Sequence, residues 1–139
     1  MKEITANMIQ IYNLEALGYD FMGYTFNKTR ELSFHHLIIP RNRSQQEGIG
    51  DGYVWWNGAI LKRDTAHDHL HKIQEIDRET FLRITDMMVL ENVNKKIDKE
   101  TLLRIREYLV DFEAKHYNDT NEHGKRLIKQ EFITQRIPL

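Results

Sequence analysis

The sequence predicts an α+β fold, a small antiparallel β-hairpin plus a helix, followed by a C-terminal α-helical extension. Three observations predict it. Tyr19 to Ile39 is rich in aromatic and β-favouring residues. From Arg78 onward, apolar residues recur at helical spacing. Between these regions lie five of the seven histidines, His35, His36, His67, His69 and His71, within 37 residues. No repeat and no Pro/Ser/Gly linker interrupts the 139 residues. One domain is therefore expected over 1–139, with a hairpin-and-helix core over 28–76 and the helical extension over 77–139.

Met1 to Gly18 is compatible with a short helix or with a segment lying over a core, through Met8, Ile9, Ile11 and Leu14. Tyr19–Pro40 reads as extended. Asn27–Arg30 is expected to turn between a first strand and a second one holding Leu32, Phe34 and Leu37–Ile39, which Pro40 ends. Arg41–Gly52 is polar, carries three glycines in its last five residues, and reads as a loop. Tyr53–Leu61 reads as another strand. Asp64 is an N-cap candidate for a helix from Thr65 to Ile76, whose core contacts should be Ala66, Leu70 and Ile73. Asp77 and Asp98 are positioned to cap two further helices, Arg78–Asn92 and one carrying Leu102 to Phe112. His123–Gly124 should break the chain before a last amphipathic stretch, Lys125–Gln135.

The composition narrows the chemistry. At 40% hydrophobic residues the chain has material for a core. With no cysteine, disulfides and thiolate zinc sites are excluded. No apolar run reaches about 18 residues and Met1–Ile11 has no signal-peptide pattern, so a soluble, cytoplasmic protein without a membrane partner is expected. The net charge of −1 predicts no polyanion partner globally. Locally, Lys28–Arg63 holds six Lys/Arg against three acids, whereas Asp64–Glu113 holds eight against twelve. The basic excess surrounds the histidine doublet.

On a helix, residues four apart share a face, while residues two apart diverge by about 200°. His67 and His71 can therefore bind one ion together. His69 cannot easily join them and reads as a helix-surface residue, as do His116 and His123. Two imidazoles suit Zn²⁺ or another first-row ion such as Ni²⁺, and an added carboxylate or phosphate oxygen would widen the choice toward Mn²⁺ or Mg²⁺. On a strand, His35 and His36 face opposite sides, so one can reach the ion while the other faces elsewhere in the cleft. An uncoordinated histidine can take a proton from water. Asn57 reads as a hydrogen-bonding residue that holds the loop or a histidine in place.

HHLIIPR, a glycine-bearing loop, NGAIL, and a helix with His67 and His71 together resemble the HNH endonuclease family with its ββα-metal fold. GYDFMGYTFNKTRELSFHHLIIP with the helical tail is also similar to small HNH-like proteins of bacterial and phage genomes. Carried over residue by residue, the resemblance makes His35 the first metal ligand, His36 the general base and Asn57 the central Asn of a catalytic pair. It makes His67 and His71 the helical metal ligands. The chain departs from the family in lacking a Cys-x-x-Cys knuckle and in placing Pro40 one residue late.

The resemblance implies a divalent-metal-dependent endonuclease that hydrolyses phosphodiester bonds in nucleic acid, with DNA the expected partner. Arg41, Arg43, Lys62 and Arg63 are the expected phosphate contacts. The helical extension offers a surface for a homodimer. Two alternatives stay open: a non-catalytic, metal-stabilised ββα module that binds nucleic acid or protein, and a metal-free fold whose histidines are satisfied by hydrogen bonds.

Overall fold

In a computed structural model that describes residues 1–137, Leu32–His36 (β1) pairs antiparallel with Gly58–Lys62 (β2). Phe34 faces Ile60, and His36 faces Gly58. Seven α-helices surround this hairpin among the described residues, which makes the fold α+β. They are Glu3–Ile11 (α1), Leu14–Leu17 (α2), Arg41–Ser44 (α3), Ala66–Ile76 (α4), Arg78–Asn94 (α5), Lys99–His116 (α6) and Gln130–Thr134 (α7). The end of the expected extension, 138–139, lies outside the described residues. Among those described, no helix is long and apolar enough to cross a membrane.

The core closes on β2. Ala59, Ile60 and Leu61 are all fully buried, so both faces of this strand are covered. Burying Ile60 and Leu61 contributes about 1.5–3 kcal/mol each. The helix α4 lies against β2 and buries Ala66, Leu70 and Ile73, the three residues its spacing predicted. Helices α5 and α6 pack together, with Ile84, Met88, Ile105 and Leu109 fully buried. Each starts on its expected cap: Asp77 accepts from the Thr80 amide at 3.1 Å and Asp98 from the Thr101 amide at 2.8 Å.

Several local expectations are corrected. No strand forms over Tyr19–Phe26 beyond single bridges of Tyr19 to Thr25 and Tyr24 to Arg136. The buried Asp20 carboxylate accepts from the amides of Met22 and Tyr24, both at 2.9 Å, and curls the chain into a turn instead. The same carboxylate reaches the Lys62 amide at 2.7 Å and ties this turn to the end of β2. The predicted hairpin turn at Asn27–Arg30 is a 3-10 turn over Thr29–Glu31, and the true partner of β1 comes after the long connection. That connection is not all loop, since Arg41–Ser44 forms α3. Tyr53–Asn57 stays outside the ladder, with a 3-10 turn over Trp55–Asn57. Asp64 does not cap α4. It has a φ of 64° and Thr65 occupies the cap. Of Lys125–Gln135 only Gln130–Thr134 is helical.

His69 is the largest correction. It is fully buried, not on the surface. Its Nδ1 lies 2.6 Å from the Tyr24 hydroxyl, and its ring stacks on Phe132 of α7 at 4.7 Å. It does point away from His67 and His71, as helix geometry requires. His116 is also half-buried, packed on Phe112 with Nδ1 2.6 Å from Asp119. His123 is exposed as expected, at 73%.

Burial, and secondarily the charge of Arg136, hold the His69 imidazole down to about 3 from its ordinary 6.5. Acidification below 6.5 therefore drives protons onto the unfolded chain before the folded one, and stability falls as pH drops toward 4. His69→Gln, which keeps an acceptor for Tyr24, should lose less stability than the parent between pH 6.5 and 4. Thermal unfolding of both metal-free proteins checks this, and parallel pH profiles would refute it.

Candidate metal centre

Strand alternation puts Ser33 and His35 on the β1 face that looks toward α4. The docking of α4 on β2 brings His67 and His71 to the same place. One nitrogen from each of His35, His67 and His71 lies within 4.8 Å of the others, and the three can hold a metal ion. His67 and His71 stack at 4.8 Å between ring centres, and His35 meets them edge-on at 5.0 and 5.3 Å.

The hydrogen bonds occupy one nitrogen of each helical imidazole. The Ser33 hydroxyl stands 3.4 Å from the Leu61 carbonyl and hydrogen-bonds His67 Nδ1 at 3.0 Å. His67 Nε2 faces His35 Nδ1 at 3.2 Å. The Gln74 carbonyl oxygen lies 3.3 Å from His71 Nδ1, which leaves His71 Nε2 outside that contact. Two nitrogens bound to one tetrahedral Zn²⁺ at about 2.0–2.1 Å would stand about 3.3–3.4 Å apart. The His35–His67 separation fits that requirement. His35 Nε2 is buried without a partner, so this imidazole gains nothing from its surroundings except through Nδ1.

Electrostatics prepares the same cluster. Burial, reinforced by His67, His71 and His36, lowers the His35 imidazole well below its ordinary range. Burial and then His71 lower His67 to about 4, with Asp68 opposing and His36 adding to the fall. Both are neutral at pH 7, the state a metal requires of its imidazole ligands.

His36 lies on the other face of β1, in the same groove of about 440 Å³ as the cluster. Its Nε2–H donates to the Asp51 carbonyl at 3.0 Å, which leaves Nδ1 with its lone pair. The rings of Phe34 and Tyr53 hold it at 5.1 and 4.8 Å. Gly52, at a φ of 82°, makes room for it, because a Cβ there would come within 2.8 Å of His36 Cδ2.

The Asn57 side chain hydrogen-bonds none of the histidines. It is fully buried, and its amide is spent on the backbone of the connection. Oδ1 accepts from the amides of Ile38 and Ile39 at 3.1 and 2.8 Å, while Nδ2 donates to the carbonyls of Ile39 and Gly52 at 2.9 and 3.2 Å. It is a positioning residue that locks the chain leaving His36 to the chain arriving at β2.

Of the expected phosphate contacts, Arg41 and Arg43 line the groove with the histidines. Lys62 and Arg63 do not. Lys62 is engaged by Gln135 and by Glu31 at 3.9 Å, and the Arg63 guanidinium donates to the Arg30 carbonyl. Both lie at the Leu32 end of the hairpin, opposite His36. Sequence reasoning missed Ser33, Gln74 and Arg78, the last of which also lines the groove. Ser33 carried a signal, a hydroxyl two residues before His35 and hence on its face. Arg78 carried another, a cation at the positive end of a helix.

No protein-family model, curated protein or solved structure matches this chain.

Asn57→Ala should cost about 3 kcal/mol, since it strands buried backbone groups as well as removing bonds, and urea unfolding measures it. Ser33→Ala should weaken Zn²⁺ binding about 10- to 100-fold while leaving the melting temperature of the metal-free protein nearly unchanged. Competition against a chromophoric chelator checks the affinity.

Proposed function

We propose that the chain is an HNH-like, metal-dependent endonuclease that hydrolyses phosphodiester bonds in nucleic acid. The observation that carries this reading is one groove that holds a three-imidazole cluster, a separate imidazole with a free lone pair, and arginines. His35, His67 and His71 hold the ion. Their all-nitrogen donor set favours Zn²⁺ or Ni²⁺ over Mg²⁺. A bound divalent ion supplies Lewis-acid stabilisation of the charge that builds on the scissile phosphate and its leaving oxygen.

The remaining work falls to the chain. His36 takes a proton from the attacking water at Nδ1, because Nε2 is committed to Asp51. Tyr53, Phe34 and the missing Cβ of Gly52 keep the imidazole in that orientation. Arg41 and Arg43 neutralise phosphate oxygens as the strand enters the groove. Asn57 holds the loop on which both the Asp51 carbonyl and Gly52 depend.

Plasmid DNA and a structured RNA, each incubated with Zn²⁺, Ni²⁺, Mn²⁺ or Mg²⁺, test the proposal. The parent should cleave with at least one metal. His36→Ala should cut at least about 100-fold more slowly while binding metal normally, and His71→Ala should bind metal more weakly. Equal cleavage by His36→Ala, or none with any metal, would overturn the proposal. A metal-dependent rise in melting temperature without cleavage would assign the non-catalytic module instead.

A further inference from the structure

A second groove, of about 340 Å³, lies beside the metal groove and shares Phe34 with it. Lys2, Arg30 and Arg63 line the second groove, and Arg41, Arg43 and Arg78 line the first. Neither lining contains an Asp or Glu, although the chain carries 21 acids against 20 Lys and Arg. The depression between α5 and α6, by contrast, mixes Asp77, Glu79 and Asp111 with Arg83 and Lys115. All six groove cations are exposed. Among the described residues only Arg43 has a carboxylate in ion-pair reach, Glu47 at 3.7 Å.

The two basic linings meet on one side chain. Lys2 Nζ lies 4.5 Å from the centre of the Tyr53 ring, and the Arg41 guanidinium lies 5.7 Å from it. The His36 ring packs against the same tyrosine at 4.8 Å. A track of positive charge therefore runs from Arg30 and Arg63, past Lys2 and Tyr53, to the groove of His36 and the metal ligands. Unneutralised cations gathered this way repel one another, and a polyanion laid along them removes that cost. Five of the six are arginines, whose planar forks suit phosphate oxygens.

We infer that the Lys2–Arg30–Arg63 groove binds the sugar–phosphate backbone of the substrate strand away from the bond that is cut. The inference rests on the hydrolytic reading for where the cut falls. It adds that the substrate is a polymer strand spanning both grooves, not a mononucleotide or a small phosphate ester.

The test uses the full chain in EDTA with fluorescently labelled single strands of about 16 and about 4 nucleotides, read by anisotropy over a range of salt. The variant is Lys2→Gln/Arg30→Gln, both at exposed side chains, with Lys2→Gln alone as the milder form. The double variant should bind the long strand at least about 10-fold more weakly, with a log–log salt slope shallower by about 1.5. Its affinity for the short strand, and metal-loaded hydrolysis of bis(p-nitrophenyl) phosphate, should match the parent. Unchanged affinity and slope for the long strand would overturn the inference, as would equal losses at both lengths. Tighter binding of polyglutamate than of the long strand at matched ionic strength would also overturn it, in favour of an acidic-protein partner. If the parent cleaves nothing but the length-dependent loss is seen, the hydrolytic reading falls and the strand-binding groove stands. If the parent cleaves and the double variant binds and cleaves the long strand normally, only the groove falls.

Discussion

The pairing of Leu32–His36 with Gly58–Lys62 is the interaction on which the rest of the molecule depends. It joins segments separated by the long connection, so it must be held at the point where the chain leaves and returns. Asn57 does this with four hydrogen bonds, and its carbonyl accepts a fifth from the Leu37 amide at 2.8 Å. Gly58 follows at once. Phe34 lies over it so closely that a Cβ there would overlap the ring. The Gly58 carbonyl accepts from Asn92 Nδ2 at 2.7 Å, and Asn92 Oδ1 accepts from the Tyr12 hydroxyl. One junction thus fixes the ladder register, seats α5, and reaches the end of α1. Slipping the ladder by one residue would turn His35 away from α4 and bring His36 into its place.

Burial does the preparatory chemistry at the cluster. A protonated imidazole at His35 would be a desolvated charge beside two other imidazoles, with no carboxylate in the cluster to balance it. The neutral form of His35 is therefore imposed before any ion arrives, and Ser33 and Gln74 occupy the Nδ1 atoms of His67 and His71. His69 separates this effect from ligation. It sits on the same helix and is also deprived of its charge chiefly by burial, yet it meets Tyr24 and Phe132, not a second imidazole. Depressed basicity is shared by His69, His35 and His67, and convergence of ring nitrogens is what distinguishes the cluster.

The parts of the fold legible in the sequence are those set by near neighbours. Asp77 and Asp98 cap α5 and α6 through amides three residues on, and Ala66, Leu70 and Ile73 face the core at helical spacing. His67 and His71 share a face for the same reason. The illegible parts depend on distant partners. Tyr19–Phe26 has strand composition, but the Asp20 carboxylate takes the amides a ladder would need. His69 looked exposed because its cover, Phe132, comes from the far end of the chain. Lys62 and Arg63 stand close to the histidine doublet in basicity read along the sequence, whereas the hairpin puts them at its opposite end, away from the histidine groove, and groups Arg63 with Lys2 and Arg30. A β2 buried on both faces offers no alternation to mark its start, so Tyr53–Asn57 shares its strand-like composition while lying outside the ladder.

Arg78 shows how local helix physics and the site can be told apart. Asp77 supplies what the first turn of α5 needs, a carboxylate on the Thr80 amide held below its ordinary range chiefly by hydrogen bonds from Thr80. Arg78 follows immediately and does the opposite, adding a positive charge where the helix dipole is already positive, at a cost of about 0.3–1 kcal/mol. Neither the helix nor, among the described residues, an ion pair explains it. Its side chain lines the groove with Arg41, Arg43 and the four histidines of the site, where an anion would turn the cost into attraction. In a chain of nearly balanced charge, a cation placed against its own helix is informative in a way that a cation on a neutral surface is not.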